Sequence, residues 1–322
     1  MRFALFFLAL TTGALGQISP IRVPSDEAEQ HLVGSIRPVY PPFAQETRIS
    51  GIVLLEISID ATGKPQILGI ISGHPLLLDE AIKAVKNSKF QPFLEAGKPT
   101  MVVTAIMVPF AATDRQIAIA RGQLEFRYHF WTAENLAQAA LSKGDVVEAG
   151  ARLKSAEEYL EAAKDGTEHP RERLQLATDS GDLSKALQKY DEAERSYRNA
   201  LETLEKGNRD APELASIFEK LGVLYAEEKR SDLARDNLNH SVVIYQKHFR
   251  KQTSSGDAGT RQLYGQKIAN QSYLLSQLEL LLGSHQNAIK DCQRVIEFQS
   301  FLDAVNHERV VAACQKTINE RP

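Results

Sequence analysis

Apolar and polar side chains alternate between residues 52 and 60, which is the pattern of a β-strand with one solvated face. The apolar positions are Val53, Leu55, Ile57 and Ile59. A turn that contains Gly63 follows, so we expect a hairpin into a second strand over 65–71. The first predicted elements are therefore two antiparallel strands.

Apolar residues next recur at helical spacing, after the stop at Ser72-Gly73-His74-Pro75. They are Leu78, Ala81, Ile82 and Val85. Pro75 suits the first turn of this helix, 76–88, and we assign His74 to the turn rather than to chemistry. A short helix over 42–47 is predicted before the first strand, and a third apolar strand over 100–110. These elements predict a small α+β domain over residues 37–110.

Helices are predicted throughout residues 124–322, after a polar linker at 111–123. Small residues recur at four comparable places, which indicates an internal repeat. They are Ala149, Ala193, Ala234 and Ala288. A single helical pair is too small to bury its own apolar face, so stacked pairs would share one core. We interpret this part as an all-α helical solenoid; a nonrepetitive helical bundle is the alternative. Trp131 is expected to anchor its first helix.

Five short motifs resemble the C-terminal domain of TonB-family energy transducers. In chain order they are Tyr40-Pro41-Pro42-Phe43-Ala44, Gly51-Ile52-Val53, Ser72-Gly73-His74-Pro75-Leu76, Phe90-Gln91-Pro92-Phe93 and Gly97-Lys98-Pro99. Phe90 stands where many members carry Trp. The resemblance implies a periplasmic domain that captures an extended segment of an outer-membrane receptor, the TonB box.

In that family the box adds a strand to an exposed sheet edge, where main-chain hydrogen bonds supply much of the affinity. The resemblance implies that the strand over 100–110 is the docking strand. The partner-binding residues predicted there are Met101, Val102, Val103, Thr104, Ala105, Ile106, Met107 and Val108. The expected partner is an extended peptide segment of an outer-membrane receptor or of another envelope protein.

The helical part resembles tetratricopeptide repeats. Leu221-Gly222 followed by Tyr225, with Ala234 after the next turn, matches the family's pattern. The intervals between the aligned alanines exceed the usual repeat of about 34 residues, so longer helices or loops are expected, one of them at 251–259. Such arrays bind peptides or proteins, and the resemblance therefore implies a second protein partner of unknown identity.

The N-terminus predicts export. Arg2 precedes a short apolar run at 3–10, and small residues stand at 14 and 16, as in a secretory signal peptide over 1–16. The run is shorter than the ~20 residues of a spanning helix. An uncleaved membrane anchor is the alternative. A short polar lead over 17–36 follows, and we expect a periplasmic protein, with membrane association left open.

Composition excludes some classes of function. The 322 residues are 43% hydrophobic and 25% charged with a net charge of −3, which is typical of globular proteins and gives no basic surface for nucleic acid. No zinc-binding or phosphate-binding motif is present. We therefore predict no enzyme, catalytic residue, metal or cofactor. For the cysteines, Cys292 and Cys314, a disulfide and two buried thiols both remain open.

Two functions follow from these expectations. The first is TonB-type transport across the outer membrane, with a partner segment captured by strand addition. The second is a periplasmic adaptor that binds proteins through its repeats and transduces no energy. It is kept because the inner-membrane anchor and long proline-rich spacer of the transducers are not expected before Arg37.

Overall fold

The computed structural model describes residues 21–163, 169–207, 211–251 and 258–320. The predicted signal peptide, 1–16, lies outside the described residues. The chain divides into two compact units, with the boundary between Glu172 and Arg173. Each unit is described by itself.

The first unit is built on a four-stranded sheet in the order β1-β6-β2-β3. Its strands are β1 (Ile21–Arg22), β2 (Gly51–Ile59), β3 (Pro65–Ser72) and β6 (Val102–Phe110). β2 pairs antiparallel with both β3 and β6. A separate hairpin pairs β4 (Phe93–Glu95) with β5 (Lys98–Thr100). The three predicted strands are confirmed.

Three helices belong to this part of the chain: α1 (Ser25–His31), α2 (Pro42–Glu46) and α3 (Pro75–Lys86). One face of the sheet packs on α3. The four alternating apolar residues of β2 are completely buried there. His74 is the N-cap of α3: its Nδ1 accepts a hydrogen bond from the Leu76 N–H at 3.3 Å. The predicted turn role of His74 is confirmed. Leu77, which the helical spacing did not select, is also fully buried.

The opposite face of the sheet is covered by a long helix, α4 (Asp114–Ser142). Ala120 and Leu124 of this helix pack against Leu54 of β2. Residues 111–123, predicted as a linker, are thus helical from Asp114 onward. The cause is a capping box, in which Thr113 Oγ1 accepts from the Gln116 N–H and Gln116 Oε1 accepts from the Thr113 N–H. Helix α5 (Val146–Ala162) then pairs with α4.

The predicted polar lead, 17–36, contains two elements that the sequence did not indicate, β1 and α1. A two-residue strand has no periodicity of its own, and the seven residues of α1 are too few for a helical pattern to stand out. We call residues 21–33 the strap.

The second unit, from Arg173, is an array of antiparallel helix pairs. Its helices are α6 (Pro170–Ala186), α7 (Tyr190–Gly207), α8 (Pro212–Glu227), α9 (Ser231–Lys251), α10 (Ala258–Leu281), α11 (His285–Glu297) and α12 (Ala304–Asn319), with a 3-10 turn at Gln299–Phe301. One continuous core runs from α7 to α12. The aligned small residues Ala193, Ala234 and Ala288 are fully buried, as is Ala149 in the first unit.

Close helix approach explains the Leu-Gly motif in α8. A Cβ added at Gly222 would lie 2.7 Å from Cγ of Leu238 on α9. Only glycine therefore lets these two helices pack at the observed separation. Within the described ranges, no helix is long and apolar enough to cross a membrane.

Candidate partner-binding edge

The predicted docking strand, β6, has one side fully paired. β2 runs antiparallel along it from Val102 to Phe110. Side chains alternate along β6: Val102, Ile106 and Val108 lie in the core with α3, and Ala105 and Met107 pack on the α4 side. Met101 precedes the strand and is half exposed. Only the outer side of β6 is left for a partner.

The strap occupies the start of this outer side. β1 pairs parallel with β6 at Val102 and Val103, and the Val23 N–H donates to the Val103 carbonyl oxygen at 3.0 Å. Pro24 has no N–H and α1 begins at Ser25, so the pairing ends there. The predicted docking strand is therefore not an open edge along its whole length.

The orientation of Val103 defines which residues face outward. Main-chain N–H and C=O groups of a strand alternate between its two neighbours, so every second residue points the same way. The groups of Ala105 and Met107 therefore face outward with Val103, whereas those of Thr104, Ile106 and Val108 face β2. Pro109 belongs to the outward row, where its missing N–H costs no bond to β2. Of the predicted residues, Ala105 and Met107 are the ones beyond β1 that offer main-chain groups to a partner.

Arg22 holds the first end of the strap. Its Nη1 lies 3.0 Å from Oε1 of Glu56, a residue of β2 that is 7% exposed. Its guanidinium also lies 5.4 Å from the centre of the Trp131 ring on α4. Trp131 thus contacts the strap as well as belonging to the first long helix. A partly buried ion pair of this kind resists opening, because breaking it leaves Glu56 with the more distant Arg171, at 4.0 Å, as its ion-pair partner.

The far end of the strap is held by main-chain bonds. The Gln91 N–H donates to the His31 carbonyl at 2.7 Å, and the Val33 N–H donates to the Lys89 carbonyl at 2.7 Å. The His31 ring stacks on Phe93 at 4.0 Å. The strap is therefore fixed at both ends, with α1 between them.

A cleft of about 450 Å³ opens beside the outward row, between α1 and α4. It is lined by Pro24, Ser25, Asp26, Glu29, Met107, Arg121, Leu124, Glu125, Tyr128 and His129. Arg121 lies 4.0 Å from Glu29. Three carboxylates against one guanidinium give the cleft an acidic wall, and Met107 brings the strand edge into it.

Arg127 of α4 takes part in a second ion pair. Arg127 of α4 pairs with Glu172, and both side chains are almost completely buried. Burial lowers the pKa of Arg127, an effect that the nearby carboxylates of Glu172 and Glu56 oppose.

The opposite edge of the sheet is β3, which no described strand covers. Its Leu68 and Ile70 are 54% and 47% exposed. β3 carries no charged residue between Pro65 and Ser72, and an uncharged edge is open to pairing. Its pairing with β2 is irregular at two places, and such irregularities bend a strand, which makes β3 less suited to pair with an added strand.

In the helical array, several charged side chains form ion pairs between neighbouring helices. Lys220 Nζ lies 2.6 Å from Asp182, and the Tyr197 hydroxyl donates to Asp182 at 2.6 Å. Lys267 Nζ lies 3.0 Å from Glu219. Burial raises the pKa of Tyr197, so the hydroxyl stays a donor. These bonds join α6, α7, α8 and α10, and they define no binding site on the array. In the described parts of both units, no three His, Cys, Asp or Glu side chains group as metal ligands would.

Comparison with known protein families assigns both parts of the chain. Residues 36–111 match the model of the Gram-negative bacterial TonB protein C-terminal family. The chain carries a TonB C-terminal domain fused to tetratricopeptide repeats. The repeat match covers residues 172–247. Both families are non-catalytic binding or scaffold folds. A comparison with curated proteins gives no match.

Solved structures similar to the chain are helical repeat proteins. The apo form of RapI is 14% identical, with a TM-score of 0.41, over 64% of this chain and 49% of RapI. A protein with TPR-like repeats of the kinesin light chain type from Podosopora anserina is 17% identical, with a TM-score of 0.44, over 59% of this chain and 87% of that protein. BtubC from P. vanneervenii is 16% identical, with a TM-score of 0.35, over 66% and 95% of the two chains.

Proposed function

We propose that this protein captures an extended segment of a partner protein by strand addition at the outer edge of β6. The supporting observation is the outward row of Ala105 and Met107 beside an open cleft. A segment that pairs there gains main-chain hydrogen bonds without disturbing β2. The partner chemistry that fits is an extended peptide, with the TonB box of an outer-membrane receptor as the segment that the family suggests.

The strap limits where that segment binds. It already uses Val103, so an added strand starts at Ala105 or displaces β1. Displacement requires breaking the bond between Val23 and Val103 and the ion pair between Arg22 and Glu56. We therefore propose that the stretch at Ala105–Met107, which β1 does not pair, makes the first contact; α1 also contacts β6.

The wider role that we propose is TonB-type transport from an exported, periplasmic position, with the tetratricopeptide repeats binding a second protein. The alternative is a non-transducing adaptor of the envelope. Cell fractionation with sequencing of the mature N-terminus separates the two proposals. A mature chain that starts near Gln17 and is recovered from the periplasm supports the adaptor, whereas an intact Met1 in the inner membrane supports transduction.

Titration of the full chain with a synthetic TonB-box peptide tests the binding proposal directly. We expect saturable binding with one peptide per chain in isothermal titration calorimetry. A peptide of the same length with proline at alternate positions is the control, since it cannot form a ladder of main-chain hydrogen bonds. Equal binding of both peptides would refute strand addition.

A further inference from the structure

A small cavity lies between the strap, the sheet and α4. Its lining includes Arg22 and Ser25 of the strap, Glu56 of β2 and Arg127 of α4. Its volume is about 20 Å³. A polar cavity of about 10–15 Å³ or more holds one water molecule. The cavity therefore has room for a single water molecule and for no larger ligand.

Three of these lining residues carry a buried polar atom that has no hydrogen-bond partner within the described parts of the chain. The atoms are Arg22 Nε, Ser25 Oγ and Arg127 Nη2. Both guanidinium groups are otherwise paired, since Nη1 of Arg22 bonds to Glu56 and Nη1 of Arg127 bonds to Glu172. Buried polar groups in native proteins are nearly always satisfied by protein groups or by ordered water. Unmet hydrogen bonds of the strap and of α4 thus occur around one cavity.

The charges around the cavity favour a neutral ligand. The two guanidinium groups are balanced by the carboxylates of Glu56 and Glu172. Arg171, 4.0 Å from Glu56, is mostly exposed, so its charge is solvated. A chloride ion would add a negative charge beside Glu56, which is 7% exposed, and burying an unbalanced charge is costly. A water molecule brings no charge and both accepts and donates hydrogen bonds.

We propose that this cavity is a binding site for one water molecule that joins the strap to α4. The water oxygen accepts hydrogen bonds from the N–H groups of Arg22 Nε and Arg127 Nη2. Its two hydrogen atoms are donated to Ser25 Oγ and to the Glu56 carboxylate. Arg22 and Ser25 lie on either side of Val23, whose N–H donates to the Val103 carbonyl oxygen. The water therefore holds the part of the strap that pairs with β6. This inference does not depend on the proposed partner capture.

Amide hydrogen exchange of the full chain tests the site through the strap. Ser25→Ala removes one partner of the water, so we expect the Val23 amide to exchange about fivefold faster. If no water is bound, the same substitution only removes an unsatisfied hydroxyl group; unchanged or slower exchange at Val23 would therefore overturn the proposal. Ser35→Ala is the matched control, because Ser35 is exposed and lies beyond the strap. Equal acceleration in both variants would also overturn it.

A high-resolution crystal structure of the full chain, grown in the presence of bromide, identifies the ligand. We expect one solvent peak in the cavity, about 2.7–3.2 Å from Arg22 Nε and from Arg127 Nη2, with no anomalous signal of bromide. An anomalous peak at this place would show that the site binds an anion and would overturn the assignment to water. An empty cavity would overturn the site itself.

Discussion

Replacing Ala105 with proline removes one main-chain donor from the outer row of β6 and leaves the ladder to β2 in place. Native Pro109 already occupies the same row, which indicates that β6 tolerates proline at outward positions. One hydrogen bond contributes about 1 kcal/mol net. The proline ring also takes the place of the N–H and keeps an added strand away, so we expect the binding free energy to weaken by about 2 kcal/mol in total. That loss weakens peptide binding about 30-fold.

Two control variants isolate this effect. Ala105→Val keeps the N–H with a side chain close to proline in size, and we expect its affinity for the peptide to stay within about twofold. Thr104→Pro removes an N–H that faces β2 in a buried position, which costs about 1–3 kcal/mol of stability or more. Calorimetric titration gives the affinities, and urea unfolding gives the stabilities. A folded Ala105→Pro variant that binds the peptide as tightly as the native chain would refute the reasoning.

Three further predictions concern stability and the strap. Arg22→Ala removes the closer of two ion pairs to Glu56 and leaves Arg171 at 4.0 Å, so the free energy of unfolding should fall by about 1–3 kcal/mol in urea titrations. Peptide binding should become tighter; weaker binding would contradict a strap that competes for the edge of β6. Gly63→Ala should lower the free energy of unfolding by more than about 2 kcal/mol, since φ is 82° and the new Cβ would lie 1.9 Å from the Phe90 carbonyl oxygen. Gly97→Ala is the control: φ is 78° but the space around it is open, so the free energy of unfolding should fall by only about 1 kcal/mol. Equal losses of stability in the two variants would refute the clash at Gly63. Burial raises the pKa of Asp291 from 3.8 to about 6, so the stability that this residue contributes is complete below pH 3.8 and is lost as pH rises through about 6. In urea titrations between these pH values, Asp291→Asn should therefore reduce the dependence of the free energy of unfolding on pH. An unchanged pH dependence would contradict the assignment to Asp291.

The elements with strong periodicity could be predicted from the sequence. The alternation in β2 places Val53, Leu55, Ile57 and Ile59 on one fully buried face. The small residues at the repeated positions are likewise fully buried. In both cases the apolar or small residues lie on a single face of one strand or helix, so their spacing in the sequence is sufficient to predict that face.

The strap and the first half of α4 could not be predicted in the same way. β1 is two residues long, and its pairing depends on a strand some 80 positions later in the chain. α4 packs its start on the sheet and also pairs with α5, so its apolar residues follow no single stripe. The consequence for the candidate site is direct: the resemblance in the sequence predicts β6 as the docking strand but could not show that β1 already pairs with Val103.

The cleft was missed for a related reason. Its walls come from three separate segments, at 24–29, 107 and 121–129, and no one segment has a binding motif. The acidic residues Asp26, Glu29 and Glu125 resemble ordinary solvated charges in the sequence. Only the fold brings them beside the strand edge.

Strand addition at β6 is tested most directly by amide hydrogen exchange of the full chain, measured residue by residue with and without saturating TonB-box peptide. The amides of Ala105 and Met107 should exchange more slowly in the complex, while exchange of the β3 amides should be unchanged. Protection confined to Leu68 and Ile70 on β3, or to the helical array, with Ala105 and Met107 unaffected, would contradict it.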